Sequence, residues 1–170
     1  MDSQIVKNII RFIGIILLQV LIFQRVDFGW EYVSLIIYPM FILLLPFQTS
    51  KVLLIILGFC LGISIDIFYN SLGVHASATV FLAYLRPYVL KMLEPANGYP
   101  ASSAPTKYHM GLNWFMIYAG ILLFAHLFFY FSVEVFTYVY FLEILLKSFV
   151  SFLISYFVIL LHQFLFNPKK

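Results

Sequence analysis

The chain has 170 residues, 64% apolar and 20% aromatic, with only 10% charged and a formal net charge of +3. A water-soluble domain carries about 25% charged residues, so at a mean hydropathy of +1.01 too little polar surface remains to coat a globule in water. The lysines and arginines stand singly at the edges of apolar runs, which marks helix ends at a membrane surface and excludes nucleic acid as a partner. The expected fold is therefore an all-α integral membrane protein, one transmembrane domain over residues 1–170, with the lipid bilayer as its solvent.

A bilayer core of about 30 Å needs about 20 helical residues, fewer where flanking side chains reach the interface. Six stretches qualify, and none shows the period-two alternation of a barrel strand. The first is 9–24, entered through Lys7 and Arg11 like a signal peptide. No small-x-small cleavage pattern follows, so it reads as a retained span. The second, 30–47, is short, interrupted by Pro39 and closed by Pro46. The third, 52–69, holds Asp66 and the single cysteine, Cys60, read as a small packing residue. One cysteine allows no disulfide or zinc cluster within the chain. The fourth span is 72–90, with Arg86-Pro87 near its end. Between 91 and 113 come three prolines and two glycines, so the segment 91–111 reads as a flexible cytoplasmic loop without helix. The fifth span is 112–131, the aromatic run "VFTYVYF" suits the membrane interface, and the last span is 142–166.

Six spans with an inside N-terminus place Lys7, Arg11, Lys51, Arg86, Lys91, Lys107, Lys169 and Lys170 on the cytoplasmic side. The other side holds Arg25, offset by Asp27 and Glu31. Both termini are thus expected in the cytoplasm.

Polar residues inside the spans carry the functional reading. Gly58, Gly62 and Asp66 recur every four residues and share one face of the third helix. The G-x-x-x-G pair lets another backbone approach, so Asp66 points into a helix contact. On the fourth span His75, Thr79, Ala83 and Arg86 share a face within about 80° of arc, and Gly73 and Ser77 form a second small pair. A tight turn, "YNSLG", makes these helices antiparallel neighbours and brings His75 within hydrogen-bonding or ion-pairing reach of Asp66; Arg86 lies too far down the helix. Asp66 reads as a polar tie between helices; a proton relay, ion ligand or catalytic role would call for further acids or histidines beside it. On the last span Glu143, Lys147, Ser148, Ser151, Ser155 and His162 share a face, suited to interior packing or to a partner's helix. Glu143 and Lys147 stand in the favourable i, i+4 order. His109 and His126 stand alone, and soluble-enzyme motifs are missing. No catalytic residue, metal site or cofactor is expected.

The stretch "GFCLGISIDIFYNSLGVHASATVFLAYL", residues 58–85, resembles the central segment of the MreD family, membrane subunits of the bacterial rod-shape system. Gly58, Gly62, Asp66, Leu72, Gly73 and Ala76 carry the likeness, and the proline-closed second span and overall layout agree. The resemblance implies a non-enzymatic scaffold in the bacterial cytoplasmic membrane, beside MreC and the peptidoglycan-building synthase pair under the MreB cytoskeleton. It also implies a compact six-helix bundle like the substrate-binding subunits of energy-coupling-factor transporters. That kinship supplies the alternative function, a subunit binding a small vitamin-like solute. Those subunits carry a small-residue face on the first helix for docking their energising module, where this chain offers only Gly14.

Overall fold

A computed structural model describes residues 3–25, 29, 32–99, 103–137 and 139–166. Asp27, Trp30, Glu31, Lys169 and Lys170, on which part of the expected topology rests, lie outside the described residues, as does the side chain of Lys7. The described residues are helical or irregular, with no strand among them. The helices are α1 (Ser3–Leu21), α2 (Met40–Leu43), α3 (Lys51–Tyr69), α4 (Val74–Met92), α5 (Lys107–Met110), α6 (Leu112–Val135) and α7 (Phe141–Phe166), with a 3-10 turn at Phe23–Arg25.

Local chemistry sets the boundaries. The Ser50 hydroxyl caps α3 by accepting from the Leu53 N–H at 3.3 Å. Asn70 ends that helix in the left-handed region at φ 53°, returning its N–H to the Asp66 carbonyl. Gly73, at φ +86°, turns the chain into α4. α4 packs between α3 and α6, α6 packs on α7, and α1 leans on α3. Among the described residues, four helical stretches are long and apolar enough to cross a bilayer: Asn8–Arg25, Lys51–Tyr69, Leu112–Val135 and Phe141–Phe166. This is the architecture of a multi-pass membrane protein. Its outer faces are apolar, with Ile10, Val52, Ile67 and Phe157 all more than half exposed, while Gln19, His75, Thr79, Arg86, His126, Ser148, Ser151 and Ser155 are buried. That inversion is what lipid demands, because only the protein interior can satisfy polar groups there.

The expected helix over 30–47 is not formed. Residues 33–37 have no regular secondary structure, one turn of helix follows in α2, and every residue from 35 to 45 is buried. Pro39 cannot donate to a preceding turn and holds the residue before it away from helical geometry. The more general cause is tertiary: the surrounding helices offer this backbone hydrogen-bond partners, so it need not supply its own.

Two further expectations are corrected. The segment 91–111 is no tether in its described part, nor is it free of helix. The Phe47 ring stacks on Tyr99 at 4.2 Å and meets Trp114 edge-on at 6.0 Å. The Phe47 N–H donates to the Ser103 carbonyl at 3.2 Å, and the Lys107 N–H donates to Gln163 Oε1 at 3.3 Å. Burial, with the Glu94 carboxylate adding to it, pushes the Tyr99 hydroxyl up to about 12, so it persists as a donor to the Leu90 carbonyl at 2.7 Å. Cys60 is not a packing residue either: it is exposed on the outer face of α3, because it falls off the Gly58–Gly62–Asp66 stripe that faces α4.

Candidate functional site

The α3–α4 joint is built by residues of the 58–85 stretch. A Cβ placed on Gly62 would lie 2.6 Å from the Ala76 nitrogen and 2.7 Å from the His75 carbonyl, so the two helix backbones touch there. One helical turn earlier the approach eases: a Cβ on Gly58 would lie 3.0 Å from the Thr79 carbonyl and 3.2 Å from Ala83 Cβ. One turn later Asp66, 3% exposed, closes the joint. Its Oδ1 accepts from the Ser71 hydroxyl at 2.5 Å and the His75 N–H at 3.0 Å, and its Oδ2 accepts from the Ala76 N–H at 2.9 Å. The first turn of any helix leaves backbone N–H groups without intrahelical partners and carries the positive end of the macrodipole. Gly73, the residue before α4, has no side chain to cap them. Asp66 does so from the neighbouring helix.

The expected bond from Asp66 to His75 thus exists, but with the backbone N–H rather than the imidazole. The small pair Gly73 and Ser77 does not mark a close backbone approach at Gly73. A Cβ on Gly73 would meet nothing within 4 Å, and Ser77 donates to the Val74 carbonyl of its own helix at 2.8 Å.

The second polar system holds the irregular segment before and after α2. Gln19 of α1 gives its amide hydrogens to the Leu35 carbonyl at 3.0 Å and to Tyr69 Oη at 2.8 Å, and its Oε1 accepts from the Ile37 N–H at 2.9 Å. From α7, the Ser151 and Ser155 hydroxyls each accept at 3.0 Å, from the Ser34 and Ile36 N–H groups respectively. At the segment's other end, the fully buried Arg86 guanidinium donates to the Leu45 carbonyl and to Tyr118 Oη at 2.9 Å. Tyr118 in turn donates to the Leu43 carbonyl at 2.9 Å. Ser151 and Ser155 therefore face the protein's own interior, leaving no place for a partner's helix on them. Elsewhere on that stripe, Glu143 and Lys147 pair at 3.4 Å on the half-exposed start of α7. His162 stacks on Phe166 at 4.7 Å, and its buried Nδ1 has no partner among the described residues.

Ser155→Ala should cost about 1–2 kcal/mol, because it strands the Ile36 N–H where water does not reach. Ser148 is equally buried, but its hydroxyl only donates back to the Ile144 carbonyl of its own helix at 2.6 Å, so Ser148→Ala should be near neutral. Unfolding titrations of both proteins in mixed micelles would compare them. Equal losses would remove the special role of Ser155.

The third system joins two histidines that the sequence left apart. Tyr38 Oη lies 2.9 Å from His75 Nδ1 and 3.0 Å from His126 Nε2, and His126 Nδ1 lies 3.1 Å from the Ala78 carbonyl. A carbonyl only accepts, so His126 Nδ1 carries a hydrogen and, in a neutral ring, Nε2 accepts from Tyr38. The Tyr38 oxygen then accepts from His75 Nδ1–H. His75 Nε2 remains a lone pair, buried and without a partner among the described residues. The chain stops at a backbone carbonyl, so it leads no proton onward through the bundle.

His75 also borders a cavity of about 150 Å3 at the end of the molecule that holds the α3–α4 turn, with Gln24, Ser34, Tyr69 and Tyr130 among its walls. Among the described residues no three histidine, cysteine or carboxylate side chains converge as metal ligands would. Gln19, Tyr38, Arg86, Tyr118 and His126 were not singled out from the sequence as a set. Gln19, the only polar residue in the run 12–23, and His126, in the middle of a span, were the available signals. No family model, characterised protein or solved structure matches the chain.

Proposed function

We propose that this protein is a scaffold subunit of the bacterial cell-elongation complex, a relative of MreD that binds MreC in the cytoplasmic membrane. Through MreC it would support the peptidoglycan synthase pair and, more remotely, act with the MreB cytoskeleton. The observation that carries the reading is the α3–α4 joint. Gly58, Gly62, Asp66, Gly73 and Ala76, five of the six residues in which the chain resembles that family, sit in one helix-to-helix contact and its turn. The role is non-enzymatic: the polar side chains tie helices and backbone together instead of converging on a reactive group. In this reading the chain crosses the bilayer six times, with α4 as the fourth crossing and the broken segment 32–47 as the second. Both termini and the segment 91–111 face the cytoplasm, and the bundle resembles the energy-coupling-factor subunits. A vitamin-sized solute is the weaker alternative. The polar cavity holds about 150 Å3, below the roughly 300–1,000 Å3 of typical ligand pockets. The groove of about 800 Å3 between α1 and α3 is open and almost wholly apolar, without the converging polar groups that orient a solute.

The test is capture of MreC by the tagged, full-length protein from native membranes, together with cell shape after depletion. Co-purification of MreC and rounding of the depleted cells are expected. A protein that accumulates normally, captures no MreC and leaves shape unchanged on depletion would overturn the reading.

A further inference from the structure

The outer seam between the start of α3 and the end of α4 carries polar groups that the bundle does not use. The Lys51 ammonium lies 5.7 Å from the centre of the Tyr88 ring. The Tyr88 hydroxyl donates to Tyr84 Oη at 3.3 Å, so the Tyr84 hydroxyl keeps its own hydrogen to give. Tyr84, Tyr88 and Lys91 fall within about 60° of one face of α4, with Lys91 in its last turn. Both lysines are exposed, and both tyrosines are about half exposed. Four and eight residues on from Lys51, Ile55 and Phe59 continue the same flank of α3 as exposed apolar surface.

Other cations described at this end of the molecule are already engaged. Arg11 donates to the Leu44 carbonyl at 3.3 Å. Arg86 is wholly buried against the Leu45 carbonyl, and the buried Lys107 holds its ammonium 3.7 Å from the centre of the Phe164 ring. Among the described residues neither Lys51 nor Lys91 pairs with a carboxylate; the ion pair there is Glu143 with Lys147. Glu94, the acid next along the chain from Lys91, turns into its own loop, where a Cβ on Gly98 would lie 3.9 Å from its Oε1.

Each ammonium offers three N–H donors and no acceptor. Two of them on one seam, with a spare hydroxyl hydrogen and no acid, attract an anion and repel a cation. The exposed apolar flank beneath them suits acyl chains, so head and tails are matched by one amphipathic molecule. We propose that this seam holds an anionic phospholipid, its phosphate between Lys51 and Lys91 and accepting from the Tyr84 hydroxyl, its acyl chains along Ile55 and Phe59. A zwitterionic head group would bring a third positive charge beside the two lysines and is disfavoured. The proposal rests on the residence of the chain in a bilayer and is independent of the elongation complex.

The experiment uses the full chain in a mild neutral detergent, with dioleoyl phosphatidylglycerol or dioleoyl phosphatidylcholine titrated in and the retained lipid counted by native mass spectrometry. One phosphatidylglycerol, held about tenfold or more tightly than phosphatidylcholine, is expected. Lys51→Gln and Lys91→Gln should each weaken phosphatidylglycerol binding by about fivefold, the worth of one basic side chain near an anionic lipid. Tyr84→Phe should weaken it by a few-fold, and none of the three should alter phosphatidylcholine binding. All three side chains lie on the outer surface, and an unchanged unfolding midpoint checks that the fold is kept. Lys147→Gln, on the start of α7, is the control for general surface charge and should change nothing. Equal retention of the two lipids would overturn the proposal, as would phosphatidylglycerol binding unaltered in the double lysine variant or lowered equally by Lys147→Gln. A second polypeptide retained on the protein in place of lipid, and released by the lysine substitutions, would overturn it too.

Discussion

Replacing Gly62 with alanine should force α3 away from α4 and cost about 3 kcal/mol or more, at the upper end of overpacking penalties. The added methyl would lie 2.6 and 2.7 Å from backbone atoms of Ala76 and His75, where carbon contacts settle at about 3.5–4.0 Å. Backbone cannot rotate aside as a side chain can, so the helices must part, and the bonds that Asp66 makes one turn further on stretch with them. Gly58→Ala meets Thr79 and Ala83 at 3.0 and 3.2 Å and should cost less. Gly14→Ala, with nothing within 4 Å, should be neutral or stabilising by up to about 1 kcal/mol, the helix-propensity difference between the two residues. Unfolding by increasing detergent fraction, followed by tryptophan fluorescence, would rank the three proteins. A Gly62→Ala protein as stable as Gly14→Ala would mean that the helices do not touch at that position.

Asp66→Ala should be nearly as damaging, about 3 kcal/mol. It leaves the His75 and Ala76 N–H groups and the Ser71 hydroxyl without acceptors in a site closed to water, each such loss costing about 1–3 kcal/mol before relaxation. It also removes a carboxylate from the positive end of α4. Asp66→Asn keeps one oxygen but turns an NH2 toward a backbone N–H, so an intermediate loss is expected. Ser71→Ala removes a single bond and should cost the least. The same unfolding measurement orders the series. An Asp66→Ala protein with unaltered stability would show that the carboxylate serves something other than the joint, such as a ligand.

The two variants separate what the sequence made legible from what it hid. The four-residue spacing of Gly58, Gly62 and Asp66 placed the close approach on the correct face, because helical periodicity alone decides which side chains share a face. The partner of Asp66 was less legible. Sequence inspection offers side chains, and His75 was the nearest, but the groups in need were backbone donors at a helix start, which every sequence carries and none displays. His126 shows the same limit from another side. Alone in its span it reads as a packing or interfacial residue, and only the meeting of α6, α4 and the segment around Tyr38 makes it one of a pair.

Composition and hydropathy by themselves determined that this chain lives in lipid, that it is helical, and where most helices begin and end. Those properties follow from transfer free energies and turn chemistry that act over a few residues. The conformation of 32–47 was decided only in three dimensions. Its hydropathy fits a buried helix and a buried extended strand equally well. The irregular, mostly non-helical course prevails because Gln19, Ser151 and Ser155 supply bonds to the backbone of 34–37, the last from 119 positions away, and Arg86 and Tyr118 bond the carbonyls at 43–45. Without them, the unpaired amides and carbonyls would have to close on one another as a helix or leave the membrane.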